Sequence, residues 1–146
     1  MLTHSALAED FSQQVTLERS DANTLYVSAV LDNRLTATFM VDTGASIIIL
    51  NQQTFDALKA KGASVEFIGQ LGARLANGHI STVKRYQIAS LTLGTSCQFS
   101  NVEVAVMPNK NNILGMNLLM NASPFAIFTS PPRLALSRCD LMASAQ

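Results

Sequence analysis

Apolar side chains alternate at Leu25, Val27, Ala29 and Leu31, and again at Leu35, Ala37, Phe39 and Val41 beyond Asp32-Asn33. A period of two turns one face of each segment to a core and the other to solvent, so the pair reads as a β-hairpin. Its second strand runs straight into Asp42. After Asp42-Thr43-Gly44, residues 47–50 form a wholly apolar run, Ile-Ile-Ile-Leu, as expected of a strand buried on both faces. An ionised carboxylate buried without partners costs roughly several kcal/mol, so Asp42 is either a satisfied turn residue or a working one.

Turn and strand signals recur along the rest of the chain. Asn51 can cap a helix over residues 52–61 whose inward stripe is Phe55 and Leu58, with Ala57 beside them, and which stops at Gly62. A strand is expected over Val65 to Ile68. Asn77-Gly78 then marks a protruding hairpin with a type I′ turn, which needs positive φ at both central residues. Strand pattern resumes through Ile88, Leu91 and Leu93 to a turn at Gly94-Thr95, and through Phe99, Val102, Val104 and Val106 to Pro108. Residues 109–112 read as a polar loop before the run Ile-Leu-Gly-Met-Asn-Leu-Leu-Met, an apolar strand end broken by Gly115 and followed by a short helix. Phe125, Ile127, Leu134 and Leu136 give two last strands. Turns about every ten residues indicate an all-β domain: a closed barrel of six or more strands with one or two short helices and the protruding hairpin. The domain is expected over residues 15–138, between a loose arm at 1–14 and a tail at 139–146.

Composition narrows the chemistry. Ten acidic and ten basic residues leave no basic field for nucleic acid. No stretch approaches the ~20 apolar residues of a membrane span, and the first residues lack the charged and apolar regions of a secretory leader. The domain reads as soluble, in the cytoplasm or, if an anchor was trimmed, the periplasm. Cys97 and Cys139 lack the spacing of a metal site and are expected as two thiols rather than a disulfide. His4 and His79 come with no nucleophile pattern, so neither metal nor cofactor is implied. Of six aspartates only Asp42 is flanked by core, for Asp10, Asp21, Asp32, Asp56 and Asp140 lie in polar, turn, helical-surface or terminal settings.

The stretch Phe39-Met40-Val41-Asp42-Thr43-Gly44-Ala45-Ser46 resembles the catalytic loop of aspartic proteases. Ile113-Leu114-Gly115-Met116-Asn117-Leu118-Leu119 resembles the element that crosses beneath that loop, and Ala76-Asn77-Gly78 lies where retroviral-type proteases carry a flap hairpin. Three such elements in order, over residues 25–136, are similar to the single-lobe, retropepsin-like branch and particularly its bacterial members. The resemblance implies a peptide or protein substrate, catalysis by Asp42 with Thr43 and Gly44, and substrate contacts from Ala45, Ala76, Asn77 and Gly78. Within the family the threonine bonds across a twofold axis and the glycine steadies the carboxylate or contacts substrate. Pocket walls are expected from Ile48 and Met107. Retroviral relatives pair an acidic residue with an arginine at the positions of Ser46 and Met116, and both are neutral here.

Carboxylate hydrolysis of a peptide needs one group as base toward water and another, protonated, as acid toward the carbonyl oxygen. Two aspartates sharing a proton provide both, and they titrate as a pair. This chain carries one candidate. Counting carboxylates therefore predicts a homodimer with Asp42 beside its symmetry mate. The competing readings are a catalytically silent module that keeps the fold for peptide binding or dimerisation, and a small-ligand barrel carrier, which leaves the Ile-Leu-Gly element unexplained.

Overall fold

A computed structural model describes residues 11–74 and 76–139. The expected arm and tail fall largely outside these residues, as do His4, Asp10 and Asp140. Gln13 and Gln14 already pair as strand with Leu136 and Ala135.

The strands are β1 (Gln13–Thr16), β2 (Glu18–Arg19), β3 (Leu25–Leu31), β4 (Leu35–Val41), β5 (Ile48–Asn51), β6 (Val65–Arg74), β7 (Ile80–Leu93), β8 (Cys97–Met107), β9 (Asn112–Leu114), β10 (Phe125–Thr129) and β11 (Pro132–Leu136). Helix α1 (Gln52–Ala60) follows β5, and α2 (Met116–Leu119) follows β9. Eight strands form one sheet in the order β2-β3-β4-β9-β5-β8-β7-β6, and a further pairing of β3 with β7 closes six of them into a barrel. Closure removes the free edges that an open sheet would present. Strands β1, β11 and β10 make a separate three-stranded sheet.

The alternation read from sequence fills the barrel. Leu31, Phe39, Ile48, Leu50, Leu91, Leu93, Phe99, Val104 and Leu114 are all inaccessible to solvent, each contributing about 1.5–3 kcal/mol through burial. Strand β5 is less enclosed than expected: Ile48 and Leu50 are buried while Ile49 is half-buried. Helix α1 matches its signals closely. Asn51 Oδ1 accepts from Thr54 N at 2.7 Å, and Gly62, with φ of 87°, ends the helix while its N–H and that of Ala63 return to Lys59 O and Leu58 O.

The type I′ geometry expected at Asn77-Gly78 is found instead at the turn between β3 and β4. Asp32 and Asn33 have φ of 52° and 53° and are closed by Arg34 N donating to Leu31 O, so the turn with both central residues at positive φ is here. Among the described residues of the β6–β7 tip only Gly78 has positive φ; Asn77 instead accepts from His79 N through its side chain, and Arg74 donates to Gly78 O. An Asx turn within a longer loop replaces the two-residue type I′ turn there. Beyond Lys84 the arms of the hairpin pair only with each other among the described residues, and its base is braced where the Tyr86 ring lies 4.5 Å from that of Phe55 in α1 and meets that of Phe67 edge-on at 5.6 Å.

The cysteines are likewise corrected. Cys97 and Cys139 form a disulfide across 42 residues, with Cys97 fully buried at the start of β8. The pairing is set by the fold bringing the end of the chain back to the β7–β8 turn, which no spacing of two cysteines reveals. Cross-linking such a loop restricts the unfolded chain by about 4 kcal/mol in the chain-entropy model. A Cys97→Ala/Cys139→Ala protein should lose a stability of that order, read as a lower urea midpoint with a steeper slope, because the uncrosslinked unfolded chain exposes more surface.

Candidate active site

Three strand ends build the Asp42 loop. Strand β9 lies between β4, parallel to it with Val41 opposite Leu114, and β5, which it meets at Ile49 and Ile113. Residues 42–47 therefore bridge from one neighbour of β9 to the other, over its C-terminal end. Asp42 N extends the ladder by donating to Leu114 O at 3.1 Å. Ala45 N returns to Asp42 O at 3.1 Å, closing a tight turn. Gly44 N donates to Asp42 Oδ1 at 2.8 Å, which fixes the carboxylate against its own backbone.

The chain leaving β9 passes directly beneath. Met116 N donates to Ala45 O at 2.8 Å and Asn117 N to Ser46 O at 3.1 Å. Gly115 is required by space rather than by conformation. Its φ of −101° suits any residue, but a Cβ there would lie 2.4 Å from Ile47 O and 3.0 Å from Ala45 O, both main-chain atoms. At Gly44 a Cβ would press on Asp42 Oδ1 at 3.2 Å, so the glycine leaves room for the carboxylate it holds.

The carboxylate is not sunk in the core. Asp42 is half-exposed, Thr43 and Gly44 are exposed and Ala45 is half-buried. Its apolar flanks belong to β4 and β5, while the loop itself stands at the surface. Asp42 to Ala45 are thus gathered in one turn. Ala76, Asn77 and Gly78 sit exposed at the hairpin tip, and among the described residues no hydrogen bond joins them to that turn. The hairpin arm does face the loop, since Leu71 of β6 lines a cavity of about 260 Å³ with Ser46, Ile47, Glu103 and Asn117. Ile48, expected in a pocket wall, is fully buried in the barrel and cannot serve as one; Ile47 takes that place. Met107 is half-buried at the end of β8, opposite Asn51.

Two asparagines at the ends of the β9 segment escaped the sequence reading. Asn112, buried rather than in a polar loop, accepts from Asn51 N at 2.8 Å and donates to Thr38 O at 3.1 Å, tying β5 to β4. Asn117 accepts from Ile48 N and donates to Glu103 O, both at 3.0 Å. A polar residue on each side of the four-residue run Ile113-Leu114-Gly115-Met116 is the signal that could have marked them, because a buried amide must find partners. No group of acidic, histidine or cysteine side chains able to hold a metal occurs among the described residues.

Comparison with known proteins agrees with this architecture. The crystal structure of a retropepsin-like aspartic protease from Rickettsia conorii superposes with a TM-score of 0.64 at 23% identity, covering 85% of this chain and 89% of that one. No curated protein sequence matches. The family model described as "gag-polyprotein putative aspartyl protease" matches residues 27–121, a span that holds the Asp42 loop, the hairpin and the Ile-Leu-Gly element. With well over half its length in that match and a retropepsin-like barrel around it, the chain belongs to the retropepsin-like aspartyl protease family.

Proposed function

We propose that this protein is an aspartic endopeptidase whose active site forms only when two identical chains bring their Asp42 carboxylates together. The observation that carries this reading is the half-exposed Asp42, held by Gly44 N at the apex of a loop braced from below, with no second carboxylate in the same turn. In the dimer one Asp42 takes a proton from water while the other, protonated, donates to the scissile carbonyl. Thr43, whose hydroxyl makes no hydrogen bond among the described residues, would then bond across the twofold axis. An extended peptide would lie between the two loops and the β6–β7 hairpins, pairing its main chain with theirs. Ala45 and the hairpin tip at Ala76, Asn77 and Gly78 would line that channel. Strands β1 and β11 already pair within one chain, so an interface built from these segments would add to the edges of β1 or β10 that are left unpaired among the described residues. The disulfide favours an oxidising compartment such as the periplasm.

The test is the dependence of activity on concentration. Cleavage of a peptide library per mole of chain should rise with protein concentration in step with the dimer fraction from sedimentation. Constant activity per chain in a preparation that sediments as monomer would exclude the shared site.

A further inference from the structure

We infer that Asn117 is a positioning residue for the proposed dyad: its carboxamide sets the height and tilt of the Asp42 loop. The inference rests on the shared-site reading above and assigns a role to a side chain outside the Asp-Thr-Gly turn. The loop has two limbs. The entry limb is fixed by strand pairing, since Asp42 N continues the β4–β9 ladder onto Leu114 O. The exit limb, residues 45–48, leaves the loop to become β5 and depends on the first two residues of α2. Main-chain bonds from Met116 and Asn117 hold Ala45 O and Ser46 O, and the Asn117 side chain holds Ile48 N.

What distinguishes Asn117 is that its other amide end reaches a third element. Nδ2 donates to Glu103 O of β8, and the Glu103 side chain is in turn paired with Arg85 of β7. One half-buried carboxamide thus registers the exit limb against the barrel wall that continues into the hairpin. Its own main-chain carbonyl accepts from Asn121 Nδ2 at 2.9 Å, which keeps the turn of α2 in place. The two amide ends do different work, one accepting an N–H and the other donating to a C=O. Aspartate reproduces the first bond and sets a carboxylate against the Glu103 carbonyl. Leucine has the shape and neither bond.

The consequence for chemistry runs through Gly44. Its N–H orients the Asp42 carboxylate, and Gly44 lies between the fixed entry limb and the limb that Asn117 holds. Slack at Ile48 shifts that N–H, and in a twofold dimer both carboxylates shift together. Proton sharing and attack on a carbonyl tolerate about 1 Å of displacement poorly, with losses near a hundredfold. Binding of an extended peptide by main-chain pairing does not depend on that distance.

Asn117→Leu and Asn117→Asp should therefore lower kcat by about a hundredfold and about tenfold respectively, with KM within about threefold of wild type. Pepstatin, whose hydroxyl engages the dyad as a transition-state mimic, should bind each variant more weakly by a similar factor. A substrate peptide on an Asp42→Asn background should bind equally with or without the Asn117 change. If Asn117→Leu does not fold, Asn117→Asp carries the same test with its smaller expected loss. Wild-type kcat and pepstatin affinity in a folded variant overturn the inference, as does a loss confined to KM or to thermal stability. Wild-type protein that neither cleaves peptides nor binds pepstatin overturns the shared-site reading, and the inference with it.

Discussion

Asp42→Asn protein should fold and dimerise as the wild type does while cleaving peptides at least about a thousandfold more slowly. The asparagine side chain has the same shape, and its Oδ1 can still accept from Gly44 N, the one hydrogen bond that the Asp42 carboxylate makes among the described residues. What it lacks is the ability to take up and return a proton. Because the loop is exposed and its main-chain bonds run through Asp42 N and O, the change removes no packing. Equal thermal midpoints and sedimentation profiles beside lost turnover are the expected pattern. Retained cleavage would place the chemistry elsewhere in the chain.

Gly115→Ala should produce the largest loss of stability of any single methyl group added near the site, about 3 kcal/mol. The added Cβ meets Ile47 O and Ala45 O, which belong to the limb that carries the Asp42 loop, so relief requires moving main chain rather than turning a side chain. The main-chain bonds from α2 to Ala45 O and Ser46 O would lengthen together. A lowered denaturant midpoint with activity lost even well below it is expected, since the displaced limb is the one that positions the carboxylate. An unchanged midpoint would mean that β9 and the loop can separate without cost, against the close crossing described here.

Much of this architecture was legible because local signals and tertiary demands agree. The β3–β4 hairpin, the Asn51 cap and the Gly62 stop each satisfy a backbone requirement that the neighbouring residues state in sequence. The Asp42 loop was legible for the opposite reason, as a charge at odds with its apolar flanks. Features set by distant chain segments were hidden. Nothing near Cys97 announces Cys139, and nothing in Asn77-Gly78 says that the tip will use a side-chain turn while Asp32-Asn33 takes positive φ at both positions. Ile48 looked available for a pocket because strand alternation leaves the facing direction open by one residue; pairing with β8 turned it inward and left Ile47 beside the cavity. Asn112 and Asn117 read locally as loop and helix residues, yet a polar group among apolar neighbours needs partners there as much as it does at Asp42.

The claim that half of the active site belongs to another copy of the chain is tested most directly by mixing subunits. Wild-type and Asp42→Asn chains, denatured together and refolded at constant total concentration, should pair at random. Activity should then fall as the square of the wild-type fraction, to about a quarter at an equal mixture. A fall in simple proportion, to about half, would mean that each chain works alone and would contradict the shared dyad.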